Sequence, residues 1–245
     1  MTDAMPPVPG LSMPVLSVSG LHAGYGGKPV LQGVDLAIRP GEIVAVIGRN
    51  GVGKTTLMRA LIGLLPAMQG EIRLSGNPLD TLPVHRRARA GIGYVPQGRD
   101  VFGRLSVEEN LRVAESLCVG RRPDLQRAYD TFPILHERRR QRAGTLSGGQ
   151  QQMLAIARVL IGQPSLLLLD EPSEGIQPSI VQDISRIMVA LNRKTGIPIM
   201  LVEQNLDMIR AMAQRCAVMD KGRITADLSA QDLQDRSIMR RHLAV

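Results

Sequence analysis

Residues 42–56, EIVAVIGRNGVGKTT, constrain the fold more than any other stretch of this chain. EIVAVIG is apolar and strand-sized, RNGVG is a turn, and TTLMRALIGLL carries apolar residues at helical spacing. A strand that enters a helix through glycines at 48, 51 and 53 matches G-x-x-x-x-G-K-[ST] in its required context. Gly48, Gly51 and Gly53, with Arg49, Asn50 and Val52 between them, let backbone N–H groups wrap around phosphate oxygens. Lys54 is placed to neutralise the β- and γ-phosphates, Thr55 to offer its hydroxyl to Mg²⁺, and Thr56 to meet the α-phosphate. The helix that follows points its positive end at the same spot. The nucleotide is therefore the first ligand to expect.

The rest of the chain predicts an α/β protein. VLSVSGLHAGYG and PVLQGVDLAIRPGE alternate apolar and polar residues, as antiparallel half-buried strands do. EIRLSGNPL, RAGIGYVPQ, SLLLLDE (165–171) and IPIMLVE (197–203) read as further strands. SIVQDISRIMVALNRKTG is an amphipathic helix stopped by Gly196, NLDMIRAMAQRC is helical, CAVMDKGRITAD a hairpin, and the C-terminus a short polar helix. Buried strands alternating with helices imply a mostly parallel sheet. From SVEENLRVAESL to about residue 160 the signal is helical, opened by the capping box Ser106-x-x-Glu109. The expected organisation is a disordered tail at 1–15, a core at 16–97 and 161–245, and an inserted helical subdomain at 98–160.

Bulk composition narrows the class without deciding it. The 245 residues suffice for a proper core, and no apolar run approaches the roughly 18–20 residues of a membrane span. Cys118 and Cys216 stand apart in apolar surroundings and outside any CxxC pair, against a disulfide framework or a metal site. The net charge of +8 suits anionic partners, yet Arg138, Arg139 and Arg140 read first as a solvated helix face. Aromatics are too sparse for the base-stacking surface of a single-strand binder.

Two more stretches carry chemistry. LLLLDE puts an acid at the carboxyl end of a buried strand, beside the crevice where parallel sheets bind ligands. Asp170 would hold the Mg²⁺ shell through water, and Glu171 would polarise the water that attacks the γ-phosphate. TLSGGQQQMLAIAR (145–158) leaves N–H groups of Ser147, Gly148 and Gly149 uncovered at a helix start, which is a second anion site without a lysine.

Taken together, GRNGVGKTT, LSGGQ and LLLLDEPS resemble the nucleotide-binding subunits of ATP-binding-cassette (ABC) proteins, from about residue 16 to the C-terminus. That resemblance implies a P-loop NTPase (RecA-like) core with an antiparallel β subdomain, an ATPase activity, and ATP with Mg²⁺ as cofactors. It also implies that two cassettes stack head to tail, so that Ser147, Gly148, Gly149 and Gln150 grip the γ-phosphate of a partner's ATP. Tyr25 looks like the adenine-stacking aromatic. Gln97 resembles the glutamine that touches Mg²⁺ and the attacking water, and the following VFGRLSVEENL would pack near the coupling helix of a permease.

Two positions depart from the family pattern. Gln204 stands where a histidine usually contacts the γ-phosphate, and Gln177 replaces the aspartate of S-x-x-L-D. Glutamine donates hydrogen bonds but carries no charge at neutral pH. Slow turnover at the chain's own site is therefore expected without a second, non-identical cassette. VEQN and DEPSEGIQPSI resemble the ATPases of importers for branched-chain amino acids and, more closely, urea. Implied partners are two membrane permease subunits and, indirectly, an extracytoplasmic solute-binding protein, with this chain peripheral on the cytoplasmic face of the membrane. No nucleic acid is expected. The alternatives are a soluble ABC ATPase acting on nucleic acid or ribosomes, a nonhydrolytic binding module, and an unrelated kinase or GTPase. LSGGQ and the lack of an N-K-x-D string speak against the last of these.

Overall fold

In the computed structural model, residues 13–118, 123–235 and 237–238 are described. The tail expected at 1–15 falls almost wholly outside them, as does most of the expected C-terminal helix; what is described there is a 3-10 turn at Asp232–Gln234 and two helical residues at 237–238.

The alternating N-terminal stretches form β1 (Leu16–Tyr25) and β2 (Lys28–Ile38), paired antiparallel. The apolar run before the glycine loop is β3 (Ile43–Ile47), and the loop opens α1 (Lys54–Ile62). Next come β4 (Gln69–Leu74), the two-residue β5 (Asn77–Pro78), α2 (Val84–Ala90) and β6 (Ile92–Val95). The helical block contains α3 (Val107–Val113), α4 (Leu125–Thr131), α5 (Pro133–Glu137) and the longer α6 (Gly148–Ile161). β7 (Leu166–Asp170), α7 (Pro178–Thr195), β8 (Ile199–Val202), α8 (Leu206–Met212), β9 (Arg215–Asp220) and β10 (Arg223–Ser229) complete the order.

β2, β1, β4 and β5 make one antiparallel sheet. The other sheet runs β10-β9-β3-β8-β7-β6, and every pair in it is parallel except β9 with the edge strand β10. Its central strands are buried on both faces, which is why they read as unbroken apolar runs. Alternate residues face opposite sides: Ile43, Ala45, Ile47, Leu167 and Leu169 pack with α6, α7 and α8. Val44, Val46, Leu166 and Leu168 pack with α1 and the antiparallel sheet. Leu166 to Leu169 are fully buried, each worth about 1.5–3 kcal/mol of transfer free energy. Replacing one of them with a charge would cost this and the burial of the charge besides.

Local chemistry sets the boundaries. Ser106 Oγ accepts from Glu109 N while the Glu109 carboxylate accepts from Ser106 N, the capping box expected at α3. Gly196 closes α7 in the left-handed region. Two expectations change and one helix is added. α2 shows no apolar period, because its one buried residue is Arg87 rather than an apolar one. That guanidinium, 2% exposed, donates to the carbonyls of Ala60, Leu61, Leu82 and Asp80, so it covers the last turn of α1. The helix expected through Cys216 stops at Met212, because Arg215 and Cys216 pair with Val44 and Ala45 of β3. Arg138 to Arg140 lie in the turn after α5, not on a helix face. Cys118 and Cys216 are not joined in a disulfide; the Cys118 thiol donates to the Ile161 carbonyl, and burial pushes the Cys216 thiol up to about 12.

Candidate functional site

The carboxyl ends of β3, β6, β7 and β8 meet at one edge of the parallel sheet, where such sheets bind ligands. A polar cleft of about 500 Å³ opens there, lined by Asn50, Thr55, Gln97, Glu171, Ser173, Glu174, Glu203, Gln204 and Asn205.

The glycine loop enters from β3. Gly48 is required by close approach: a Cβ there would lie 2.2 Å from the Met219 carbonyl oxygen of β9. Lys54 begins α1 and is 5% exposed. Its Nζ donates to the Gly48 carbonyl at 2.8 Å and the Arg49 carbonyl at 2.9 Å, which leaves the third ammonium donor for an anion inside the loop. Burial lowers the Lys54 pKa, while Glu171, Asp170 and Glu203 hold it up. Thr55 faces the cleft and Thr56 is buried.

The acids enter from β7. Asp170 is 1% exposed, and burial raises its pKa to about 6. Its Oδ2 accepts from the Tyr94 hydroxyl at 3.1 Å, and its Oδ1 has no partner. Glu171 turns the chain out of the strand in a left-handed conformation (φ 47°), a strained state that recurs at functional positions. Its carboxylate lies between two amides: Gln204 Nε2 donates to Oε1 at 2.9 Å and Gln97 Nε2 to Oε2 at 3.4 Å. Gln97 Nε2 also reaches Glu174 at 3.1 Å, so its amide oxygen points away from both carboxylates. Gln204 Nε2 also donates to Asn50 Oδ1 at 2.8 Å; both of its N–H groups are thus engaged within the chain.

A hard cation such as Mg²⁺ takes oxygen donors and keeps much of its water and phosphate shell. The orphaned Asp170 Oδ1, the Thr55 hydroxyl and the Gln97 amide oxygen fit that requirement. Tyr25 ends β1 with 47% of its surface exposed, and its hydroxyl accepts from Arg59 Nη1 of α1 at 3.1 Å. Its ring thus stands at the surface beside α1 instead of in a core.

The second anion grip lies apart, and the cleft lining includes none of residues 147–150. Ser147 caps α6: its Oγ accepts from Gln150 N at 3.3 Å, and Gln150 Oε1 accepts from Ser147 N at 3.1 Å. The Ser147 O–H remains free to donate, and the first N–H groups of α6 have no intrahelical acceptor. Gly149 has a packing reason as well, since a Cβ there would meet Ile180 of α7 at 2.3 Å.

Four residues of this region escaped the sequence reading. Glu203, 2% exposed, ends β8 and accepts from the backbone N–H groups of Ser173, Gln204 and Asn205. Arg99 donates to the carbonyls of Glu174 and Gly175 and lies against Gly148. Tyr94 and Glu174 hold Asp170 and Gln97. The strand-end rule that found Asp170 would also have found Glu203; the other three are set by tertiary contacts.

A buried lysine in the glycine loop after β3, with an acid pair at the end of β7 on the far side of β8, defines a phosphate-loop nucleotide hydrolase. Residues 31–174 match the ABC transporter family, and the chain belongs to it. It is 44% identical to the high-affinity branched-chain amino acid transport ATP-binding protein BraG of Pseudomonas aeruginosa, over 86% of this chain and 91% of that one. It is 36% identical to the lipopolysaccharide export system ATP-binding protein LptB of Escherichia coli, over 94% and 98%. Among solved structures, the ADP conformation of MJ1267, an ATP-binding cassette of an ABC transporter, superposes with a TM-score of 0.82 at 25% identity, covering 94% of this chain and 98% of that one. The chain is an ATPase that binds ATP and Mg²⁺.

Proposed function

We propose that this ATPase powers an importer of a small polar solute through separate permease subunits, working at the cytoplasmic face of the membrane. No helix among the described residues is long and apolar enough to cross a membrane, so the pathway would lie in other chains. The carrying observation is the separation of the two anion grips: Thr55, Gln97, Glu171 and Gln204 line one cleft, with Lys54 and Asp170 buried next to Thr55 and Glu171 in the chain, and Ser147 to Gln150 line none of it. A head-to-tail pair of cassettes brings each half to the other. The elements at 98–160 would act as the subdomain that carries Ser147 to Gln150 toward the partner.

In the cleft, Lys54 and the loop amides bind the β- and γ-phosphates, and Mg²⁺, when bound, offsets the charge that builds on them. Glu171, oriented by Gln97 and Gln204, draws a proton from a water whose oxygen attacks the γ-phosphorus; the bond to the bridging oxygen breaks and ADP leaves. Tyr25 stacks on the adenine. Because both Gln204 donors are engaged with Asn50 and Glu171, this chain's own site turns over slowly alone, and a non-identical cassette supplies the faster site.

Similarity to BraG, a branched-chain amino acid transport ATP-binding protein, favours branched-chain amino acids as the solute, whereas EGIQPSI resembles the urea-importer sequence. LptB shows that a similar cassette serves lipopolysaccharide export. The test is uptake of labelled leucine and labelled urea in cells carrying the wild-type chain or Lys54→Ala. Loss of one uptake with Lys54→Ala, and co-purification with two permeases, is the expected result. Unchanged uptake of both with no permease in the membrane fraction overturns the reading.

A further inference from the structure

Tyr94 lies on β6 beside Leu168 of β7, in register with it. Side chains two apart on a strand share a face, so Leu168 and Asp170 point the same way, and a tyrosine beside Leu168 reaches forward to Asp170. The ring packs in the apolar layer with Leu166 and Leu168, and the hydroxyl meets Asp170 Oδ2 at 3.1 Å. The carboxylate is 1% exposed, and its other oxygen has no partner. Lys54 and Arg59 attract this carboxylate and Glu171 repels it, but none of the three is hydrogen-bonded to it.

We propose that Tyr94 is a positioning residue for the metal-binding acid: its hydroxyl holds Asp170 Oδ2 and leaves Oδ1 as the edge of the carboxylate open to the cation shell. A buried carboxylate with one oxygen held cannot rotate freely, and it meets the cation shell with a fixed edge. A ligand oriented by an outer hydrogen bond typically loses about 10–100-fold in metal affinity when that bond is removed. Because the shell here is expected to be partly water, the lower end applies. The inference rests on the cleft being a Mg²⁺-nucleotide site.

Tyr94→Phe keeps the ring in the apolar layer and removes the oxygen alone. Binding of a fluorescent ATP analogue to the full chain is measured in EDTA and across a Mg²⁺ titration. The expected result is metal-free affinity within about twofold of wild type and a Mg²⁺ midpoint raised about tenfold. Asp170→Asn should abolish most of the Mg²⁺ response, and Tyr94→Phe should add nothing in that background. An unchanged Mg²⁺ midpoint in Tyr94→Phe overturns the proposal. So does an equal loss of affinity with and without metal, which marks a merely structural tyrosine. A wild-type chain that binds the analogue without any response to Mg²⁺ overturns the reading of the cleft itself.

Discussion

The two anion grips of this chain are built on opposite plans. At the glycine loop, charge is drawn inward: Lys54 is buried, bonded to two carbonyls of its own loop, and faced by Asp170, Glu171 and Glu203. At the start of α6 there is no buried charge, only a helix terminus capped by its own Ser147 and Gln150. The first grip carries its counter-charges with it. The second offers N–H groups and a hydroxyl and relies on charge brought by another molecule. A site that must stay competent alone and one that acts only on a partner's ligand have different tolerance for mutation, and this predicts separable phenotypes.

The largest effect should come from Glu171→Gln. General-base assistance contributes about 10²–10⁴-fold, so steady-state ATP turnover in the assembled transporter should fall by that order. Nucleotide affinity should stay near wild type, because Gln97, Gln204 and the glycine loop remain. Turnover within a factor of two of wild type would remove Glu171 from the reaction and leave the cleft without its base.

Lys54→Ala and Ser147→Arg sharpen the contrast. The first should weaken nucleotide binding by the lone chain about 100-fold or more, through loss of a buried charged partner (about 3 kcal/mol). The second should leave the lone chain's affinity unchanged and, added to Glu171→Gln, abolish the ATP-dependent doubling of mass expected of that variant by light scattering. If Ser147→Arg weakened the lone chain as much as Lys54→Ala does, the two grips would be one site.

Much of this division is legible in the sequence, because both grips are local. EIVAVIGRNGVGKTT and TLSGGQ each hold their donors within a few residues, and the apolar runs around them report burial on both faces of a sheet. What holds the acids is not local. Tyr94 and Asp170 are separated by 76 residues, Gln204 and Asn50 by 154, and no spacing rule links them. Arg87 hid α2 for a related reason: an arginine satisfied by four carbonyls breaks the apolar period that marks a helix face. The end of α8 was misplaced because the ladder to β3 overrides the helical pattern at Arg215 and Cys216.

The pH response should also divide the two grips. Burial holds the Asp170 pKa at about 6, above its ordinary 3.8. A metal competes with the proton, so Mg²⁺-dependent binding should be full at pH 7 and roughly tenfold weaker at pH 5. Stability moves the other way. Between about pH 4 and 6 the folded chain binds this proton and the unfolded chain does not, so the group's contribution grows more favourable as pH falls through 6. Asp170→Asn should flatten both curves, as followed by analogue binding and by denaturant midpoints at pH 5 and 7. The α6 terminus has no titrating group among Ser147 to Gln150 and should add no pH dependence in this window.

The smallest effect tests the self-capped plan directly. Ser147→Ala removes one acceptor from the capping box and should cost about 1 kcal/mol of stability. Gly149→Ala forces a Cβ to 2.3 Å from Ile180 and should cost about 1–3 kcal/mol through overpacking between α6 and α7. Neither change touches the cleft, so both variants should bind nucleotide as lone chains with wild-type affinity at temperatures below unfolding. If the α6 terminus served only to cap the helix, a Ser147→Asp variant, which caps as well, would restore both stability and ATP-driven pairing. If it grips a partner's phosphate, the same variant regains the cap and loses the pairing, because a carboxylate there repels the γ-phosphate.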